Sequence, residues 1–321
     1  MTAYTTREIA LDTVTLHVAE QGEGPLVLLV HGWPECHRSW RHQLAALAEA
    51  GYRVVAPDLR GFGKSSCPAE IEAYTQLNLV GDMVALVSAL GESRAVIIGH
   101  DWGAPVAWNA ALMRPDIFHA VAGLSVPYGP RNRGPITKVF REMGMAKFYM
   151  MYFQEVGPAE REFDADPAAT LRRILWSASG EMAPEQAGAV PEIDPIEGFL
   201  ARLPDPAGLP SFVAEEDFAV LVEGYRRTGF GPGLNLYRNL DRNWALLAPW
   251  HLAPINQPSL FIAGSRDSTI RNPAGQASLG RLRSALPGLR GLHLIDGAGH
   301  WIQQERPREV NDALLTFLDS L

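Results

Sequence analysis

Cysteine is nearly absent from this chain. Cys36 and Cys67 are the only two in 321 residues, too few for a disulfide framework, which excludes the small stapled folds of secreted proteins. Positive charge is also in deficit. The formal net charge is -8, whereas a nucleic-acid partner demands a clustered excess of Lys and Arg, so no nucleic acid is expected. Long apolar runs are missing too: Leu26 to Val30, the longest near the N-terminus, falls far short of the roughly 20 residues that cross a bilayer. No membrane partner is expected. The opening MTAYTTREIALD has neither the basic nor the apolar region of a secretory signal, and a reducing cytoplasm is the expected compartment. No metal-ligand spacing and no glycine-rich phosphate loop stands out, so neither a metal nor a cofactor is expected.

What is present is a globular composition, 47% hydrophobic and 20% charged, unlike that of a disordered or fibrous chain. The length allows one large core, or a core with an inserted smaller domain. Short β-branched runs, VTLHVAEQG, PLVLLVHG, RVVAPDLRG, RAVIIGHDWG and HAVAGLSVP, alternate with amphipathic stretches such as SWRHQLAALAEAG, the pattern of a parallel sheet. LVLLV and AVIIG are apolar at consecutive positions, as strands buried on both faces must be, so helices should cover both faces. The rhythm breaks after Val126. From about Tyr128 to Trp244 the patterns are helical, with no buried strand; then strands return in PSLFIAGSRDS and LRGLHLIDGAGH, and a last helix runs from about Pro307 to Leu321 on Val310, Leu314, Leu315 and Leu318. The prediction is an α/β core, residues 1–128 and 245–321, with a mostly parallel central sheet flanked by helices, and an inserted helical cap, residues 129–244. GPRNRGP and LPDPAGLP read as connecting loops.

The chemistry is concentrated at strand ends. Gly99-His100-Asp101-Trp102-Gly103-Ala104 follows the strand AVII directly, and a strand-to-helix turn flanked by small residues is a nucleophile elbow, which lifts one side chain above the sheet. That side chain is Asp101. An Asp capping the next helix would give the same local pattern, but two further pieces fit only the elbow. Upstream, His31-Gly32-Trp33-Pro34 puts the Trp33 amide where it can join that of Trp102 in an oxyanion hole. Downstream, one strand ends in Ser265-Arg266-Asp267 and the last in Gly297-Ala298-Gly299-His300, giving the chain order nucleophile, acid, histidine. Asp296 is the rival acid, one tight turn before His300. Each loop leaves the carboxyl end of a strand, where open parallel sheets carry their sites.

An aspartate in the nucleophile's place selects the substrate. Serine attacking an alkyl carbon would leave a dead ether, whereas aspartate leaves an ester of its own carboxyl group that water can cleave. The substrate is then an alkylating electrophile, with His300, oriented by Asp267, as the base for water. An epoxide oxygen leaves as an alkoxide and needs a proton donor, which predicts tyrosines in the insertion. Tyr149-Met150-Met151-Tyr152-Phe153-Gln154-Glu155 offers a pair, and Gly233-Leu234-Asn235-Leu236-Tyr237-Arg238-Asn239 offers another candidate. Phe153 and Met150, with the Trp102 ring, are candidates to line an apolar pocket. Asp58 in PDLRGFGKS reads as a turn-stabilising residue, and His100 as structural.

The motifs HGWPE, SWRHQLAALAEAGYRVVAPDLRGFGKSS, GHDWGAPVAW, YMMYFQEVG, LNLYRN and GAGHW together resemble the epoxide hydrolases of the α/β-hydrolase superfamily, the soluble type especially, over nearly the whole chain. The resemblance implies Asp101 as nucleophile, Asp267 and His300 as the charge pair, and Tyr149, rather than Tyr152, with Tyr237 as ring-opening acids. It implies a small apolar epoxide and water as the reaction partners, and leaves a homodimer open. The chain departs from the family pattern at Val156, where Pro is usual, and at Gly231-Pro232-Gly233. Two other readings compete. A haloalkane or haloacid dehalogenase shares the Asp and His but usually carries Asn where this chain has Trp33, or Arg where it has Trp102. A noncatalytic ligand-binding protein can use the same scaffold.

Overall fold

The computed structural model describes residues 4–129, 131, 133–182 and 192–321. Eight strands, β1 (Thr5–Ala10), β2 (Thr15–Gln21), β3 (Leu26–Val30), β4 (Arg53–Pro57), β5 (Ala95–His100), β6 (Phe118–Leu124), β7 (Ser259–Gly264) and β8 (Leu289–Ile295), form one sheet in the order β1-β2-β4-β3-β5-β6-β7-β8. The pairings of β2 with β1 and β4 are antiparallel; the rest are parallel.

Every residue of β3, β5 and β7 is buried. Because side chains alternate across a strand, these apolar runs feed two cores: Leu28, Val30, Ile97 and Phe261 face one, while Val27, Leu29, Val96, Ile98 and Ile262 face the other. Helices α1 (Arg41–Glu49), α2 (Gln76–Ala89) and α3 (Gly103–Met113) connect the first strands. The insertion between β6 and β7 holds α4 (Ile136–Glu142), α5 (Tyr149–Tyr152), α6 (Pro158–Asp164), α7 (Pro167–Ser177), α8 (Glu215–Thr228), α9 (Gly231–Arg238) and α10 (Leu240–Leu246), and no strand among its described residues. The chain closes with α11 (Ser268–Arg271), α12 (Pro273–Ala285), α13 (Ile302–Glu305) and α14 (Pro307–Asp319). No helix among the described residues is long and apolar enough to cross a membrane.

The strand β1 carries no apolar signature. Only Ile9 of TTREIA is buried, and the strand is held by its ladder to β2 (Thr5 opposite Glu20, Ile9 opposite Leu16) and by the Arg7–Glu20 ion pair at 2.8 Å. Charge on an exposed edge discourages pairing with other chains. Of the two expected connecting loops, Pro130 and Asn132 in GPRNRGP lie outside the described residues, and LPDPAGLP, residues 203–210, has no helix or strand. In α14, Val310, Leu314 and Leu318 are buried as their spacing requires, with Ala313 and Phe317 completing the face in place of Leu315.

Candidate active site

The parallel register puts Val30 beside Gly99 and Gly99 beside Gly123, so the carboxyl ends of β3, β5 and β6 lie abreast. Between β5 and α3, Asp101 has φ +49°, the left-handed region that non-glycine residues rarely occupy. The turn closes because its neighbours are bare: a Cβ on Gly99 would enter the Gly103 carbonyl, and one on Gly103 the Val30 carbonyl. A Cβ on Gly32 would strike the Asp101 carboxylate and the Trp102 amide nitrogen together. The Trp33 amide donates to Asp101 Oδ1 at 2.7 Å.

On the other side of the carboxylate, His300 Nε2 lies 3.3 Å from Asp101 Oδ2, and His300 Nδ1 lies 2.9 Å from Asp267 Oδ2. Asp267 is fully buried at the start of α11, where its second oxygen accepts the Thr269 amide at 2.8 Å. Burial alone would raise the Asp267 pKa, but the charge of His300 and hydrogen bonds from His300 and Thr269 outweigh it and hold the carboxyl below its usual range. Burial would likewise depress His300, yet Asp267 and Asp101 together raise it well above the ordinary imidazole value. Asp296, the rival acid, is exposed and accepts from the Ser265 hydroxyl at 3.0 Å.

The two tyrosines from distant parts of the insertion meet where both feel the charge of Asp101. Their ring centroids are 5.9 Å apart, and Tyr237 stands edge-on to the Trp102 ring at 4.9 Å. Burial first, then the charge of Asp101 with that of Asp267, raises the Tyr149 hydroxyl pKa, although a hydrogen bond with Tyr237 opposes the rise. Burial likewise raises Tyr237, joined by Tyr149 and Asp101. Both stay protonated at neutral pH. Gln154 ties the two segments, its amide donating to Met150 O at 2.8 Å and Tyr237 O at 3.0 Å. Tyr152 turns elsewhere, donating to Glu162 at 3.0 Å. Phe153 is fully buried among Tyr149, Tyr237 and Trp33, and Met150 packs on the same apolar cluster.

The departures from the family pattern have separate explanations. Val156 is 63% exposed on the insertion's surface. Gly233 faces the Trp33 indole so closely that a Cβ there would collide with it, so the large ring at position 33 requires the glycine at 233.

Further residues support the site, and of these the sequence singles out only His100, as structural. His100 lies between Glu35 Oε2 at 2.7 Å and the His300 carbonyl at 2.8 Å. Ser125, at φ +65°, donates to the same carbonyl at 2.7 Å. Gln304 reaches Glu35 at 2.8 Å. Away from these, His17, His37 and Asp58 bring ligand atoms within 4.8 Å of one another, the spacing of a cation site. Asp58 is already occupied, accepting from His17 Nδ1 (2.9 Å), His37 Nδ1 (2.8 Å) and the amides of His37 (2.8 Å) and Lys64 (3.3 Å). Four donors fill the lone pairs of a carboxylate. Burial opposes its charge, but the two histidines outweigh that and drive its pKa well down. The cluster is a hydrogen-bonded knot that braces the loop after β4.

Known proteins share this architecture. Residues 25–307 match a family model described as the alpha/beta hydrolase fold. Epoxide hydrolase A of Mycobacterium tuberculosis is 47% identical, the match covering 100% of this chain and 99% of that protein. An epoxide hydrolase of Caballeronia sordidicola is 45% identical over 97% of this chain and 92% of its own. Among solved structures, an epoxide hydrolase from an endophytic Streptomyces superposes with a TM-score of 0.94 at 46% identity, covering 100% of this chain and 96% of that one. Kinship of this extent, end to end and at this identity, settles the family: the chain belongs to the epoxide hydrolases of the α/β-hydrolase fold.

Proposed function

We propose that this enzyme converts small apolar epoxides to vicinal diols through an alkyl ester on Asp101. The observation that carries the reading is one carboxylate held at 2.7 Å by the Trp33 amide and at 3.3 Å by His300, beside two protonated tyrosines, Tyr237 buried and Tyr149 half-buried. Asp101 Oδ2 attacks an oxirane carbon, the C–O bond breaks, and its electron pair goes to the ring oxygen, which takes a proton from Tyr149 or Tyr237. Oδ1 becomes the ester carbonyl. Water then adds to that carbonyl carbon while His300 takes its proton, and the amides of Trp33 and Trp102 stabilise the oxyanion on Oδ1. Collapse expels the diol oxygen, which is reprotonated, and Asp101 is restored carrying one oxygen from water. Phe153, Met150 and the Trp102 ring supply apolar surface for the substrate, and the helical insertion, residues 129–244, is the cap that delivers the tyrosines.

Charge logic supports the order of steps. In the free enzyme Asp267 and Asp101 favour the protonated imidazole; esterification neutralises Asp101, so His300 gives up that proton, which restores the tyrosine hydroxyl spent in ring opening, and is then free to act as the base. Against a dehalogenase, Trp33 and Trp102 stand where the halide-binding Asn or Arg is usual, and the two tyrosines supply the proton that an epoxide oxygen needs. The test is diol formation on a panel of aryl, alkyl and trans-disubstituted epoxides, with halide release from haloalkanes measured in parallel and Asp101→Ala as control. Diol that disappears in the variant is the expected result; halide without diol would assign the dehalogenase reaction instead.

A further inference from the structure

Glu305 ends α13 and has no part in the chemistry above. Its largely buried carboxylate accepts three backbone amides: Gly299 at 2.8 Å, Trp301 at 3.1 Å and Gly180 at 2.8 Å. A residue that merely capped α13 would need the Trp301 amide alone. The other two bonds have a different logic, because Gly299 and Trp301 flank His300 and Gly180 belongs to the insertion. The backbone of His300 is held as well, its amide donating to Ala178 O at 2.8 Å. The neighbouring acid is tied to the same segment: Arg266, beside Asp267, donates to Gly180 O at 2.6 Å and Met182 O at 2.8 Å. A side chain at position 180 would collide with the Gly297 carbonyl, the Glu305 carboxylate and the Gly299 amide, so the close approach depends on glycine.

This matters because the His300 contact with Asp101 is long, at 3.3 Å, and a small displacement of the loop would lose it. We propose that Glu305 is a positioning residue for His300, registering the loop of the base and the Ala178–Gly180 segment on one carboxylate, so that ester hydrolysis depends on it and ring opening does not. The proposal rests on His300 acting as the base of the second step. Ring opening uses Asp101 and the tyrosines, none of which Glu305 touches.

The experiment is rapid-quench intact-mass kinetics of Glu305→Gln on an epoxide that the wild-type protein hydrolyses. Glutamine keeps the shape but turns an NH2 group toward at least one of the three amides. Alkylation should stay within about twofold of wild type while ester hydrolysis slows by about ten- to a hundredfold, the cost of misplacing a catalytic group slightly. The adduct then accumulates, and kcat and KM fall together with kcat/KM unchanged, a split that general loss of folded protein would not produce. Gly180→Ala, which disturbs the same contact from the other side, should give the same split and serves if the glutamine variant does not fold. Equal losses in both steps, or no change in either, overturn the proposal. His300→Gln, run beside them, separates the two levels: if it forms no adduct, the ester pathway itself fails, whatever Glu305 does.

Discussion

In the proposed reaction, alkylation of Asp101 removes a negative charge 3.3 Å from His300, and the predictions at this scale follow from that single change. The imidazole is raised by Asp267 and Asp101 against burial, so Asp101→Asn, which mimics the neutral ester, should lower the His300 pKa. Titration of its ring protons by NMR reads this directly; an unchanged value would mean that Asp101 does not hold the proton. A base works unprotonated, so the hydrolytic step should speed up as pH rises through the His300 pKa of the alkylated enzyme. His300→Gln should stop at the ester, seen as a substrate-sized mass increase, and an unmodified mass after long incubation would count against covalent chemistry. Replacing either tyrosine by Phe should slow ring opening by roughly a hundredfold, as removal of one oxyanion donor does, with the alkylation rate as readout. Asp101, Asp267 and His300 stand out in the sequence because each sits in a local motif at a strand end, whereas Tyr149 and Tyr237 lie on helices of the insertion and are singled out by the family resemblance. Glu305 and Glu35 do not stand out: their partners Gly180 and Gln303 lie 125 and 268 positions away, and no local pattern records such a pairing.

Within single elements, the elbow is the strictest. Gly103 opens α3 with no room for a Cβ against the Val30 carbonyl, and a backbone cannot yield as a flexible side chain can. Gly103→Ala should cost about 3 kcal/mol or more, at or beyond the upper end of overpacking penalties. Gly81, exposed within α2 with open space about its Cα, should behave oppositely: Gly81→Ala should stabilise by roughly 0.5–1 kcal/mol, because alanine lowers the entropy of the unfolded chain. Urea denaturation of the two variants decides both, and a similar midpoint shift in each would refute the steric account. The same distinction explains which strands the sequence revealed. The runs in β3, β5 and β7 are apolar throughout because both faces are covered, whereas β1 is polar and depends on its hairpin ladder to β2, a backbone pairing that leaves no apolar pattern in TTREIA.

Composition divides the chain into a core and a helical insertion, but the apolar interior does not respect that division. Phe153, Phe163, Tyr225, Phe230 and Tyr237 of the insertion belong to one buried cluster with Trp33, Phe62, Leu28 and Ile97 of the core. Polar contacts cross the same boundary: Arg38 and Arg41 pair with Asp217 at 2.9 and 3.0 Å, Arg227 donates to Gly63 O at 2.8 Å, and the Gln76 amide donates to Asn243 at 2.9 Å. An insertion that folded alone would keep its aromatic core to itself, as an independent domain does. Here the insertion buries its aromatics only by using the core's, so neither part can lose structure without exposing the other. Thermal unfolding should therefore be one cooperative transition, with calorimetric and van't Hoff enthalpies in agreement. Two resolved transitions would mean that the insertion is a separate folding unit. The single transition should persist in Tyr149→Phe and Tyr237→Phe, since those changes remove a hydroxyl each while leaving both rings in the shared cluster, and a lost ring-opening rate with an intact transition would separate the chemistry of the tyrosines from their packing.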